Sequence, residues 1–330
     1  MVVVSAMNEP CTTIPMGTDA MPFSRIVFGM WRIADWRLSR VERRALIEAA
    51  LELGVTSFDH ADIYGDYTAE GLFGDVLADA PQLRERMQIV TKCGIRLVSP
   101  QRPAHRIKHY DTRAAHVVAS VEQSLRALRT DRLDLLLLHR PDPLMDADEV
   151  AATFAALWRD GKVREFGISN FMPAQAALLQ DRMDEHGLSL ATNQVECSLL
   201  HLAPLDDGTF DQAQRWRCPP MLWSPLAGGR LLTDASPAAT RVHACAERIG
   251  GALGVPATTV LFAWLLALPC RPLPIVGRAG SRRCARRWRR RASRSNASTG
   301  SSCCMRRAAR RCHDRHARYD RHAMTIREKQ

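Results

Sequence analysis

At 330 residues the chain is long enough for one large barrel domain or two ordinary domains. Its net charge of +11 is concentrated at one end: residues 278–330 hold 18 Lys/Arg against 3 Asp/Glu, whereas residues 1–277 hold 28 against 32, a net of −4. A mildly acidic body gives no reason to expect nucleic-acid binding, and the 10 cysteines, irregularly spaced with no CxxC pair, read as free thiols in a reducing compartment.

Met1-Val2-Val3-Val4-Ser5 lacks the basic region and apolar core of a secretory signal. The longest apolar run, from Val260 to Leu268, is about half the length of a membrane span. The expectation is a cytoplasmic monomer with no membrane partner. Residues 1–24 read as an N-terminal extension. From residue 25 to residue 277, strand-like and helix-like segments alternate.

Strands are expected at 25–30, 57–61, 88–92, 133–139, 165–169, 192–196, 221–224 and 273–276. Several are continuous apolar runs, the mark of parallel strands buried on both faces. Between them lie helical patterns. Residues 39–53 open on Ser39 and stop at Gly54. Residues 112–128 place Val117, Val121, Leu125 and Leu128 at helical spacing, and residues 147–160 stop at Gly161. Pro173 opens a further helix. Eight strands with helical crossovers in about 250 residues fit an α/β fold of the (β/α)8, or TIM-barrel, kind better than an open doubly wound sheet. There is no G-x-G-x-x-G and no P-loop, which argues against a Rossmann site.

Four chemistry-bearing residues fall just past apolar runs: Asp59, Tyr64, Lys92 and His139. Barrel enzymes place their sites at the C-terminal ends of strands. A phenol titrates near pH 10 unless perturbed, so proton exchange near neutrality needs help. An ammonium beside it favours phenolate, a carboxylate can hold that ammonium, and an imidazole can orient a carbonyl. Singly, each residue reads as ordinary packing, surface or capping. His60 and Asp62 sit nearby, but strand alternation turns His60 away from Asp59, and no metal is expected.

Taken in order, Asp59-His60-Ala61-Asp62-Ile63-Tyr64-Gly65, Thr91-Lys92-Cys93-Gly94, His139-Arg140-Pro141-Asp142-Pro143, Gly161-Lys162-Val163-Arg164-Glu165-Phe166-Gly167-Ile168-Ser169-Asn170-Phe171, Asn193-Gln194-Val195-Glu196 and Pro272-Leu273-Pro274-Ile275-Val276-Gly277 resemble the aldo-keto reductases, in particular a bacterial oxidoreductase branch. The resemblance implies reduction of a small aldehyde or ketone by NADPH, with NADH as the alternative. It assigns Tyr64 as proton donor, Lys92 as its tuner, Asp59 as the partner of Lys92 and His139 as orienter. Ser169, Asn170 and Gln194 would meet the nicotinamide carboxamide, although Ser-Asn ahead of Pro173 also reads as a helix cap. Trp223 would stack on the nicotinamide, its alternative being a core tryptophan. Ser224, Leu226 and Gly228 would cover the pyrophosphate in Ser224-Pro225-Leu226-Ala227-Gly228-Gly229, and Gly277 would lie beside the cofactor. Trp31 and Trp36 are candidates for the apolar wall of the substrate pocket, with packing or exposure as the alternative. A second reading is a cofactor-binding module without turnover.

After Gly277 the resemblance weakens. Residues 278–330 carry one Ile and no Leu, Val or Phe, too little to offset ordering entropy. The eighth helix of the barrel is therefore expected to be missing or replaced by a disordered Arg-rich tail, and the reductase weakened or inactivated. A frameshift accounts for this, because alanine codons displaced by one base read as arginine. A nucleic-acid-binding arm and a zinc site from Cys303, Cys304, Cys312, His313 and His316 are the alternatives.

Overall fold

The computed structural model describes residues 11–277. Its strands are β1 (Thr13–Met16), β2 (Met21–Ser24), β3 (Val27–Gly29), β4 (Ser57–Asp59), β5 (Gln88–Cys93), β6 (Ile95–Arg96), β7 (His109–Tyr110), β8 (Leu133–Leu138), β9 (Val163–Ser169), β10 (Leu190–Glu196), β11 (Met221–Trp223) and β12 (Leu273–Val276). Eight of them close a parallel barrel in the order β10-β11-β12-β3-β4-β5-β8-β9. The ring pairs Val27 with Ser57, Val90 with Leu135 and Ile275 with Val27, and its register shifts once, in β10 between Leu190 and Asn193 against β9.

Helices cross over between the strands: α1 (Arg40–Glu52), α2 (Tyr64–Tyr67), α3 (Ala69–Asp79), α4 (Ala114–Leu128), α5 (Ala147–Arg159), α6 (Pro173–Asp184), α7 (Ala203–Asp206), α8 (Thr209–Trp216), α9 (Arg230–Thr233), α10 (Pro237–Leu253) and α11 (Ala257–Leu266). Their starts are chemically specified. Ser39 and Glu42 form a reciprocal capping box on α1. Asp146 accepts from the Asp148 and Glu149 amides at the start of α5. Pro173 stands in the first turn of α6, where its missing N–H costs nothing. A side chain at Gly74 would strike the Ala127 carbonyl, so glycine sets the close approach of α3 and α4.

The core has three parts. Outward strand residues such as Phe58, Ile89, Leu136, Leu138 and Phe166 pack against α1 and α3–α6. A second cluster joins Leu222 to Val242, Leu261 and Trp264. The third fills the barrel with Val27, Val90, Leu135, Leu137, Met221, Leu273 and Ile275.

Four residues of that third cluster, Ile14, Met16, Met21 and Phe23, come from the stretch expected only as an extension. β1 and β2 form an antiparallel hairpin whose buried face points into the barrel. It seals the end where the strands begin. Ser24 and Ser57 exchange bonds of 2.9 and 3.0 Å at the start of β4. Glu165, near the start of β9, accepts from the turn amides of Thr18 and Asp19 at 3.0 and 2.8 Å. Gly17 leaves room for that carboxylate, which any side chain there would hit. Burying four large apolar side chains stabilises by about 6–12 kcal/mol as an upper estimate.

Among the described residues, no single helix is long and apolar enough to cross a membrane. The expectations about an eighth helix and the Arg-rich 278–330 segment lie outside the described residues.

Candidate active site

With the strand starts sealed, the strand ends form the open mouth. β4 ends on Asp59, β5 carries Lys92 next to its last residue, and His139 follows β8. Lys92 is fully buried. Its Nζ donates to both Asp59 oxygens at 2.8 Å and to the His60 carbonyl at 2.7 Å, and lies 3.3 Å from the Tyr64 hydroxyl. Tyr64 is placed by a turn that departs from helical geometry. Gly65, Asp66 and Tyr67 all take left-handed φ values, 57°, 56° and 65°. A Cβ at Gly65 would lie 2.9 Å from that of Ala34, so glycine serves there on both counts. The His139 ring meets the Tyr64 ring edge-on, with centroids 5.8 Å apart.

Burial and charge set the protonation states. Burial works to lower the Lys92 pKa, but the Asp59 carboxylate and the Tyr64 oxygen outweigh it, and Lys92 stays charged above its usual value. Burial lifts the Tyr64 phenol above its ordinary value, and the pull of Lys92 does not offset this. Lys92 does pull the phenol down, as expected, but its pull is the smaller effect. Desolvation decides the net sign. Burial, then Lys92 and Arg140, hold the His139 imidazole neutral by pushing its pKa well below the usual range. His139 Nδ1 is buried without a partner, which leaves Nε2 as the ring nitrogen able to meet a carbonyl.

A shell of amides surrounds this pair. Gln194 Nε2 donates to Asp59 Oδ1 at 2.8 Å. Because a carboxylate only accepts, that bond fixes which end of the amide faces Asp59. Ser169 Oγ donates to the Gln194 main-chain carbonyl at 2.8 Å, and Asn170 Nδ2 donates to Ser169 Oγ at 2.7 Å. Asn170 has φ 63°, and its Oδ1 accepts from Trp223 Nε1 at 3.1 Å. Ser169, Asn170, Gln194 and Trp223 are thus one connected group beside Asp59. Ser224 and Ala227 take φ values of 51° and 52°, Gly228 and Gly229 values of 67° and 100°. Leu226 accepts from the Gly229 amide at 2.9 Å. Neither glycine has an atom within 4 Å of where a Cβ would stand, so this turn leaves space beside its backbone. Gly277 is exposed just past β12.

The two tryptophans after β3 part company. Trp31 is 59% exposed, whereas Trp36 is partly buried and stacks on Phe28 at 6.1 Å, committed to packing. His60 points outward, its ring edge-on to Phe73 at 4.6 Å and neither nitrogen partnered. Burial lowers its pKa to about 3. Sequence reasoning missed the bond from Gln194 to Asp59, and it also missed Arg140. The Arg140 guanidinium lies 5.9 Å over the Trp223 ring, and its charge acts on Tyr64 and His139. Its position directly after His139 was the available signal.

Comparison with known proteins identifies the family of the chain. The family model described as the aldo/keto reductase family matches residues 25–285. Oxidoreductase YdhF of Escherichia coli is 50% identical over 273 residues, covering 82% of this chain and 88% of that protein. The 6-dehydroglucose reductase of Agrobacterium fabrum is 47% identical over 261 residues, covering 79% and 86%. Among solved structures, the thermostable aldo-keto reductase Tm1743, in complex with the inhibitor epalrestat, aligns with a TM-score of 0.68 at 25% identity, over 89% of this chain and 98% of that one. The parallel barrel, the polar residues at its strand ends and these matches together place the chain in the aldo/keto reductase family, as an NAD(P)H-dependent oxidoreductase of carbonyl compounds.

Proposed function

We propose that this chain reduces a small aldehyde or ketone to the alcohol with NADPH, using Tyr64 as general acid. The observation that carries the reading is the buried Lys92, held by both Asp59 oxygens at 2.8 Å and facing the Tyr64 hydroxyl at 3.3 Å. A phenol that keeps its proton at neutral pH is a donor, and the reaction needs a donor. As the carbonyl oxygen gains charge, Tyr64 gives it the hydroxyl proton. The adjacent ammonium stabilises the phenolate left behind. Neutral His139 donates through Nε2 to the same oxygen and sets its angle.

The nicotinamide cofactor, when bound, supplies the hydride. The residues present suit it. Asn170 and Gln194 offer amide groups of the kind a carboxamide pairs with, and Trp223 offers an indole face. The turn through Ser224, Leu226 and Gly228 has open space beside its backbone for a phosphate group. Asp59 turns the Gln194 amide so that its oxygen is the end left to accept from a carboxamide NH2.

The relative that reduces 6-dehydroglucose supports a small polar carbonyl as the substrate class. The test mixes the full chain with NADPH and benzaldehyde and follows loss of the cofactor's near-ultraviolet absorbance. Turnover by wild type and not by Tyr64→Phe is the expected result. Equal rates in the two proteins refute the role of Tyr64. Tight NADPH binding with no reduction of any aldehyde in a broad panel would point instead to the cofactor-binding module.

A further inference from the structure

The mouth of the barrel is more basic than the body it belongs to. Residues 94–113, between β5 and α4, hold five Lys/Arg and one acid, Asp111. Asp111 is already shared by Arg96 at 3.1 Å and Arg113 at 2.8 Å. Three guanidiniums around the mouth, Arg102 of this segment among them, lie on aromatic rings contributed by the segments after strand ends or by a strand end itself. Arg32 is 4.8 Å over Trp31, Arg102 is 4.7 Å over Tyr67, and Arg140 is 5.9 Å over Trp223. Among the described residues, none of the three has a carboxylate oxygen within the 4.0 Å of an ion pair.

Arg140 is the innermost of them. It directly follows His139, and its contact with Trp223 joins β8 to β11, which have β9 and β10 between them around the ring. Its partly exposed side chain therefore reaches across the mouth towards Trp223. Its charge is strong enough there to act on both the Tyr64 phenol and the His139 imidazole. Lys92 is already balanced by Asp59 at 2.8 Å, so among the described residues the charge of Arg140 stands beside the site with no carboxylate in an ion pair with it. A guanidinium offers paired donors in the geometry of a carboxylate, and one guanidinium balances one negative charge.

We infer that Arg140 holds a carboxylate borne by the carbonyl substrate, so that the preferred substrates are aldehydes or ketones of organic acids. This rests on the proposed reduction, because it names the substrate of that same site. The three-residue chain from His139 and Arg140 to Trp223 then orients a substrate at two points, its carbonyl and its acid group.

The test is a binding measurement on the full chain with NADP+ present. Quenching of tryptophan fluorescence follows titration with 4-(hydroxymethyl)benzoate and, separately, with benzyl alcohol, which differ in the carboxylate alone. Wild type is expected to bind the acid about tenfold more tightly. Arg140→Met should bring that ratio close to one, and Arg140→Lys, which keeps the charge, should keep part of it. No preference in wild type overturns the inference, as does an Arg140→Met protein that loses both alcohols equally or loses NADP+ instead. NADPH oxidation by benzaldehyde is measured alongside. If it fails while the preference for the acid persists, the reduction is refuted and the carboxylate site stands.

Discussion

Replacing Lys92 by Met tests the buried network at its centre. Lys92 is 0% exposed, and its ammonium makes contacts of 2.8 Å to each Asp59 oxygen and 2.7 Å to the His60 carbonyl. Methionine fills a similar volume, so the loss of packing is small. The larger effect is on Asp59, which stays buried with the Gln194 amide as donor but with no balancing charge. Breaking a buried pair in this way costs about 3–5 kcal/mol, a large part of the roughly 5–15 kcal/mol that holds a domain together. Asp59→Asn strands the ammonium by the same logic. The double variant removes both charges together with their desolvation cost, so it should lose less than the two singles combined, by about 0.5–3 kcal/mol. Urea unfolding of all four proteins at pH 7, followed by circular dichroism, measures that difference. Additivity within about 0.5 kcal/mol would refute the idea that the pair acts as a unit.

Tyr64→Phe should lower the rate of carbonyl reduction by about 10²–10⁴-fold. Its unfolding midpoint should stay near that of wild type, because the hydroxyl has only the 3.3 Å contact with Lys92 to lose. His60, with a folded pKa of about 3 against 6.5 when unperturbed, contributes stability that is full above pH 6.5 and is lost as pH falls towards 3. The slope from this one group is about 1.36 kcal/mol per pH unit. His60→Leu should remove that slope from urea midpoints taken between pH 6.5 and 4. The comparison is between variant and wild type, because the raised carboxyls of Asp62 and Glu70 act with the opposite sign in both. An unchanged slope would mean that His60 is not buried neutral. Glu165→Ala leaves the Thr18 and Asp19 amides without their acceptor. It should lower stability by about 1–3 kcal/mol in urea, with Glu165→Gln keeping part of that.

The barrel was legible because its strands advertise themselves. Leu133 to Leu138 is apolar but for Asp134, and that exception pairs with Arg84 at 2.8 Å. Predicted strands overshoot where the chain has left the ladder but not yet changed composition, as at Ala61, His139 and Ser224. The hairpin was illegible for the opposite reason. Each of its strands is four residues long and contains a proline, and its buried side chains gain meaning only once a barrel exists for them to fill. In the site, the identity of Asp59, Tyr64, Lys92 and His139 could be read from their places after apolar runs. Their connections could not. Gln194 and Asp59 are 135 residues apart in sequence and meet because β10 and β4 belong to one ring. The net shift of Tyr64 was beyond reach as well, since it depends on how deeply the phenol sits and not only on its neighbour.

These protonation states make chemical sense as a set. Lys92 charged, Asp59 close against it, and Tyr64 and His139 both neutral amount to two proton-bearing donors around one balanced ion pair. A raised phenol pKa looks at first like a poor acid. The relevant comparison is with the oxygen it serves, because an alkoxide forming from a carbonyl is far more basic than any phenolate. In the proposed reaction, transfer from Tyr64 is therefore downhill late in the step, while at rest the proton stays in place. A lysine that had lost its carboxylate would have only the Tyr64 oxygen to set against burial, which works to discharge it, and a discharged lysine would leave the phenolate with no cation beside it. The barrel's need to keep one ammonium charged in its interior is thus the same requirement as the proposed reaction's need for a tyrosine that can let its proton go.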